Sequence, residues 1–431
     1  MPTMNFLQAE APACPRLPAG FHRLIAAQFF SALADNALLI VTMALLHQRG
    51  LPAWWAPMLK FCSTLSYVLL APLVGPLADA GPKARLMGWM NALKGLAVLG
   101  LLAGVNPLAC FALVGLGAAA YAPAKYGLVT ELVSPAQLVA ANAWIEVSVV
   151  GAVLLGTVLG GGLVGETFRL LVLPLALPWL PTGSVPDAPP AWALKLALGL
   201  VLGVYGISAL LNRGLPDSGA RYPRTVLHPR PLLRQFAQAN RRLWRDPQGG
   251  LSLAVTTLFW GVGATLQFAV LRWAVDVLGL PLSQAAALQA AVAVGVVAGA
   301  SLAGRLFEMT RALRLLPLGI VLGALIATAA ACRSLASALP LLMTVGVVGG
   351  LLVVPMNALL QHRGQSLLSA GRSIAVQGFN ENLCILGMLA TYTALLAADV
   401  AIVPLMGLLG AAVVALMSAL WWRAQRTPGS A

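Results

Sequence analysis

The apolar positions of this chain gather into long stretches separated by short clusters of glycine, proline and charge. A stretch of about 20 mostly apolar residues crosses a bilayer as a helix, and cutting at the punctuating clusters gives twelve such segments. Six lie in the first half, near 22–46, 55–78, 84–104, 107–130, 136–164 and 191–212. Six more follow near 250–274, 283–306, 313–332, 337–361, 371–397 and 400–423. The pattern predicts an all-α polytopic membrane protein of twelve transmembrane helices in two six-helix halves. Residues 1–20 form an N-terminal tail, 21–212 the first half, 213–249 a basic linker, 250–424 the second half and 425–431 a C-terminal tail.

Composition strengthens that reading. Of 431 residues, 59% are hydrophobic and 9% charged, against about 25% charged in a soluble domain, which excludes an ordinary soluble enzyme. The net charge of +14 would suggest nucleic acid in a soluble chain; here it sets topology, because loop lysines and arginines stay inside. With both termini cytoplasmic, nineteen of the twenty-seven basic residues fall on the inner side, among them Arg23, Lys83, Arg85, Arg305, Arg363, Arg372 and Arg423. The outer loops keep Arg49, Arg169 and Arg333. The linker holds Arg213, Arg221, Arg224, Arg230, Arg234, Arg241, Arg242 and Arg245, with Leu233, Phe236 and Leu243 between them. It reads either as a solvated connector or as a surface helix gripping anionic headgroups. The apolar stretch Leu170 to Leu180, interrupted by Pro174 and Pro178, is too short to span, and residues 165–190 read as an outer-face insertion. The five cysteines show no metal spacing and read as packing residues; no metal or other cofactor is expected. Trp54-Trp55 and Trp421-Trp422 sit at segment ends as interfacial anchors.

The candidate chemistry lies inside the apolar segments. Asp35 and Asn36 occupy the middle of the first, with no basic neighbour in sequence. An ionisable group at that depth costs roughly 2.5–3.5 kcal/mol and normally faces a polar cavity. Gln28, Ser31 and Asp35 share one helix face. Tyr121 and Lys125 lie one turn apart on the fourth segment, and Asn142 and Glu146 one turn apart on the fifth. Asn357 with Pro355, then Gln377, Glu381 and Asn382, carry the pattern into the second half. For Asn142 or Asn357 alone an interhelical hydrogen bond is the simpler account; for Asp35, Lys125 and Glu146 a cavity role is. Lys60 and Lys94 each lie within reach of a membrane face and read as snorkelling side chains.

Two six-helix halves joined by a basic linker resemble the major facilitator superfamily. So does the loop Gly75-Pro-Leu-Ala-Asp79-Ala-Gly81-Pro-Lys83-Ala-Arg85, which is similar to that superfamily's signature between helices 2 and 3, one residue short before Gly81. There Gly75 would permit close helix contact, Asp79 would cap or bridge at the inner gate, and Lys83 and Arg85 would pin the loop inside. Gly299 to Arg305 keeps a degenerate echo without the aspartate, which points to duplication.

Within the superfamily the chain resembles the bacterial lysophospholipid transporter family. The resemblance rests on Gln28 to Leu39 (QFFSALADNALL), on Gly115 to Gly127 (GLGAAAYAPAKYG) with Glu131, Asn142 and Glu146, and on Leu258 to Gly261. Gly349 to Gln361, Gln377 and Glu381-Asn382 continue it, so that it covers nearly the whole chain. It implies a monomeric importer in the bacterial inner membrane that brings lysophosphatidylethanolamine-type lipids to the cytoplasmic leaflet by alternating access. Its functional partner would be an acyl-carrier-protein synthetase and acyltransferase that reacylates them. Lys125 would take the lipid phosphate, and Asp35 or Glu146 the ammonium. The chain departs from the family at Gln267, where an arginine is expected. Arg272 lies about 140° around the helix from it and roughly 7.5 Å along, so headgroup preference stays open. An acyltransferase is excluded because no histidine has an aspartate five positions on. A proton-coupled exporter of drugs or amphiphiles, or a lipid-binding receptor, remain as alternatives.

Overall fold

The computed structural model describes residues 17–51, 54–165, 168, 191–223 and 228–426. Among them there are thirteen α-helices and no strand. The first half contains α1 (Ala19–Gln48), α2 (Trp55–Asp79), α3 (Lys83–Leu102), α4 (Pro107–Leu132), α5 (Leu138–Val164) and α6 (Ala191–Arg213). The linker forms α7 (Pro229–Arg245). The second half contains α8 (Pro247–Asp276), α9 (Leu282–Leu306), α10 (Pro317–Ala331), α11 (Leu335–Leu367), α12 (Ala370–Ala397) and α13 (Ile402–Gln425). The predicted segments and the helices agree to within a few residues, apart from the 3-10 helix Met309–Leu315 before α10 and the longer end of α11. The 165–190 insertion lies outside the described residues, apart from Gly165 and Phe168.

Local chemistry places several boundaries. Asn106 caps α4, its side chain accepting from Leu108 N at 2.9 Å and Ala109 N at 3.4 Å; Pro107 follows at the first helical position, where its missing N–H is not needed. Asp246 does the same for α8, accepting from Gly249 N at 2.8 Å ahead of Pro247. Among the described residues, nine helices are long and apolar enough to cross a membrane. A tenth joins them if the 3-10 turn Met309–Leu315 and α10, bent by 44°, count as one span. Two helices of comparable length, α3 and α12, are not in that set; they carry Asn91 and Lys94, and Gln377, Asn380, Glu381 and Asn382. These polar helices hold much of the site.

The two halves repeat one packing scheme. In the first, α1 packs on α5 and α6, α4 on α2 and α3, and α3 on α6. In the second, α8 packs on α12 and α13, α11 on α9 and α10, and α10 on α13. This supports the duplication suggested by the Gly299–Arg305 echo. Between the halves, α2 meets α12, α4 meets α12, and α5 meets both α9 and α11. The tightest helix pair is α9 with α11, where Gly295 and Gly299 face Gly346 and Gly350. A Cβ on Gly299 would collide with the Val347 carbonyl, and one on Gly346 with that of Val292. In lipid, where apolar burial does not drive association, such small-residue contacts are what bring helices together. Gly299→Leu is therefore expected to lose at least about 1–3 kcal/mol through overpacking against backbone that cannot yield. Fluorescence-detected size-exclusion chromatography in detergent would show the loss of the monodisperse peak; an unchanged profile would refute it.

Candidate functional site

One network of polar side chains runs through the first half. Lys94 Nζ donates to Asp35 Oδ2 at 2.7 Å and to Ser31 Oγ at 3.2 Å. The Tyr205 hydroxyl donates to Asp35 Oδ1 at 2.6 Å. Ser31 donates to Asn91, Asn91 to Ser208, and Ser208 to the Ala27 carbonyl, so α1, α3 and α6 are tied together around the ion pair. The Lys94 side chain is 2% exposed while that of Asp35 is 29% exposed. The pair thus presents its carboxylate side to open space and keeps its cation in the helix bundle. Lys94 also lies over the rings of Tyr121 and Tyr205, at 5.3 and 5.7 Å. The stem of Lys94 passes Gly117 on α4, where a Cβ would stand 2.9 Å from its Cγ.

This corrects two sequence expectations. Lys94 does not snorkel; it is buried and neutralises Asp35, which therefore has a basic partner after all. Lys60 is exposed and lies within electrostatic reach of Asp35, with no ion pair among the described residues.

A second group lies between the halves. Lys125 is buried and donates to Gln28 Oε1 at 3.0 Å; Gln28 in turn donates to Ser148 at 2.8 Å. Its ammonium sits over the Tyr126 ring at 4.0 Å and in the field of the buried Glu146. From the second half, Gln377 donates to Asn357 Oδ1 at 3.0 Å and to Glu381 Oε1 at 2.8 Å. Glu381 is half-buried and within electrostatic reach of Glu146. Lys125 lies beside Glu146, and Gln377 joins Asn357 to Glu381, while Asp35 belongs to the separate network around Lys94.

Four predicted residues join neither group. Asn36 donates to the Ala32 carbonyl and Asn382 to the Gly378 carbonyl, both within their own helices. Gln267 is exposed, its carbonyl accepting from Gln289 at 2.7 Å. Arg272 is exposed near the end of α8 and pairs with Asp276 one turn on, at 3.0 Å.

The halves close at the end that carries the basic loops. Gly75 on α2 lies against the Arg372 Cα, the Ala375 Cβ and the Gly371 carbonyl of α12, where a Cβ would stand 3.0 to 3.3 Å from them. One turn on, Asp79 accepts from Ser369 Oγ at 2.5 Å and from Gly371 N at 2.9 Å. It therefore caps the N-terminus of a helix in the opposite half, which favours a negative charge. Lys83 bridges Asp79 at 3.9 Å and Glu131 at 2.6 Å. Glu131 also accepts from Tyr222 at 2.9 Å and from Ser218 at 2.5 Å. In the linker, burial first and then the Glu131 carboxylate push the Tyr222 phenol upward, so it stays a donor at neutral pH. Across the α5–α11 contact, Asn142 and Gln361 exchange two amide hydrogen bonds at 2.8 and 2.9 Å. Asn142 thus follows the structural account rather than the cavity one. Arg85 is exposed and has no side-chain partner in this cluster among the described residues. Ser218, Tyr222 and Ser369 were not singled out from the sequence, and Glu131 was named only as part of the family resemblance, without a role at this end.

Two repeated six-helix halves, closed at one end by a carboxylate on a helix N-terminus and holding charged groups at mid-span, define a transporter of the major facilitator class. The Major Facilitator Superfamily model matches residues 24–386. The lysophospholipid transporter LplT of Yersinia enterocolitica (serotype O:8 / biotype 1B) is 39% identical over 380 residues, covering 88% of this chain and 88% of that protein. The chain belongs to the lysophospholipid transporter family of this superfamily, and it is a multi-pass membrane protein. Among solved structures, a bacterial homologue of the iron transporter ferroportin superposes with a TM-score of 0.68 at 17% identity, over 95% of this chain and all of that one (100%). The transporter FucP does so with a TM-score of 0.70 at 15% identity, over 94% and 98%. At such identities these two share the fold alone.

Proposed function

We propose that this protein carries lysophospholipids of the lysophosphatidylethanolamine type across the bacterial inner membrane to its cytoplasmic leaflet by alternating access. The observation that supports it most is the placement of Lys125, whose one hydrogen-bond acceptor among the described residues is Gln28, while Glu146 and Glu381 stand nearby from opposite halves. An ammonium group has three donors, so Lys125 retains capacity for a phosphate. The two glutamates suit the ethanolamine ammonium. Asp35 is already held by Lys94 and Tyr205, so its role shifts from ligand to a charge whose pairing sets the shape of the N-terminal half. A reacylating acyltransferase at the inner face is the functional partner we propose, with the transporter itself a monomer.

The test is uptake of labelled lysophosphatidylethanolamine by spheroplasts with and without this chain, beside Lys125→Ala. Hydrogen bonds to charged groups contribute about 1.5–3 kcal/mol. The variant is expected to fall roughly ten- to a hundredfold in uptake, and its melting temperature is read on the same preparation because a buried side chain beside Glu146 is removed. No uptake above background by the unaltered protein, present in the membrane, would favour an amphiphile exporter instead.

A further inference from the structure

The linker helix α7 touches both halves from the side. Leu232, Phe236, Ala239 and Leu243 fall on one face at spacings of four, three and four. With Gln235 they pack against Ala71, Pro72, Gly75 and Pro76 of α2 and Ala375 of α12 around one small cavity and against Leu253, Leu360 and Val376. Phe236 meets Phe379 edge to face at 5.2 Å between centroids. Trp244 Nε1 donates to Asn380 Oδ1 at 3.1 Å, and Asn380 Nδ2 to Asn240 at 2.9 Å. Pro72 lies seven residues inside the end of α2, and Asn380 ten residues inside the start of α12. At 1.5 Å per residue that places α7 beside the spans, about 10–15 Å in from their ends, rather than beneath the bundle.

The opposite face of α7 carries Arg230, Arg234, Arg241 and Arg245 at spacings of four, seven and four, half a turn from the packed face. All four are exposed, and among the described residues none has an ion-pair or hydrogen-bond partner. Arg242 is exposed on the flank, and Leu233, 59% exposed, stands beside them. Unpaired guanidinium groups with an exposed leucine, on a helix whose own apolar face is already occupied, suit phosphate oxygens above an acyl layer. A soluble acidic protein would require the arginines to face the aqueous side beneath the bundle.

We propose that this arginine face docks anionic phospholipid headgroups in the leaflet at the basic end, across the seam between α2 and α12. Because α7 packs on both halves, bound headgroups hold that seam shut.

The test uses the full chain in vesicles of phosphatidylethanolamine with or without phosphatidylglycerol. Native mass spectrometry would read the phosphatidylglycerol retained by the unaltered protein and by the variant combining Arg230→Gln, Arg234→Gln, Arg241→Gln and Arg245→Gln. Each arginine near an anionic surface contributes about fivefold in affinity, so the variant is expected to lose preference for phosphatidylglycerol by at least about tenfold. A bimane probe on Leu233→Cys, in a background without the other cysteines, is expected to shift to the blue only in the anionic vesicles. Equal retention by both proteins would overturn the proposal, and so would a probe that stays in water in both vesicles, leaving an acidic protein as the occupant. Neither readout measures transport, so either failure leaves the lysophospholipid assignment standing.

Discussion

Asp35→Ala is expected to reduce lysophospholipid uptake to background and to lower the stability of the folded protein by about 3–5 kcal/mol. The second effect follows from Lys94. Its side chain is 2% exposed and its ammonium lies 2.7 Å from Asp35 Oδ2, so removing the carboxylate leaves a buried cation without its counter-charge. Tyr205 and Ser31 would remain as dipoles, which do not replace a charge. The double variant Asp35→Ala with Lys94→Met discriminates between the roles. Replacing a whole buried pair with apolar groups is often neutral for stability, so the double variant is expected to regain a near-native melting temperature. If Asp35 is needed only to neutralise Lys94, uptake should return with it. If the pair also shapes the cavity or repartners during transport, the fold returns and uptake does not. We expect the second outcome, because Asp35 alone of the pair is partly exposed, at 29%. Thermal unfolding and uptake measured on the same preparations decide it, and restored uptake would make the pair purely structural.

The same residues show what could be read in advance. Helix positions were legible because each span is a long apolar stretch whose ends carry proline, glycine or a cap, as at Asn106 and Asp246. Sharing of a face was legible too: Gln28, Ser31 and Asp35 all enter polar networks on α1, as their spacing requires. Immediate neighbours were not. Asn36 and Asn382 follow Asp35 and Glu381 by one residue, hence by 100° around the helix, and each turns back to bond the carbonyl four residues before it. Lys94 was misread because its partner is 59 residues away and because the space for its stem exists only where Gly117 of another helix passes it. Position along a helix says that a lysine can reach a membrane face; only packing says whether it does. The linker shows the same division: its arginines and leucines allowed either a connector or a surface helix, and contacts with Pro72 and Gly75 on α2 and with Phe379 and Asn380 on α12 show a helix held against both halves.

The gate offers the other large effect. Asp79→Asn preserves the side-chain shape, so its oxygen can still accept from Gly371 N and its amide can turn to Ser369. What it loses is the negative charge at the N-terminus of α12 and the attraction of Lys83, 3.9 Å away. Hydrogen bonds to an ionised group contribute about 1.5–3 kcal/mol, and here they join one half of the molecule to the other. Because they are made only when the ends meet, their loss acts on the balance between closed and open states rather than on folding. The closed state at the basic end is therefore expected to fall roughly ten- to a hundredfold relative to the open one. Ser369→Ala, which leaves the charge and the Gly371 bond, is expected to shift the balance less. Spin labels on Arg85→Cys and Leu306→Cys, both exposed near that end, would report it as a longer inter-label distance in a background without the native cysteines. Transport should slow as well, since a carrier that closes poorly on one side completes fewer cycles. If the distance distribution of Asp79→Asn matches that of the unaltered protein, the carboxylate is a helix cap with no part in gating. In that case the contacts of Gly75 with Arg372 and Ala375, and the Asn142–Gln361 amide pair, hold the halves together without it.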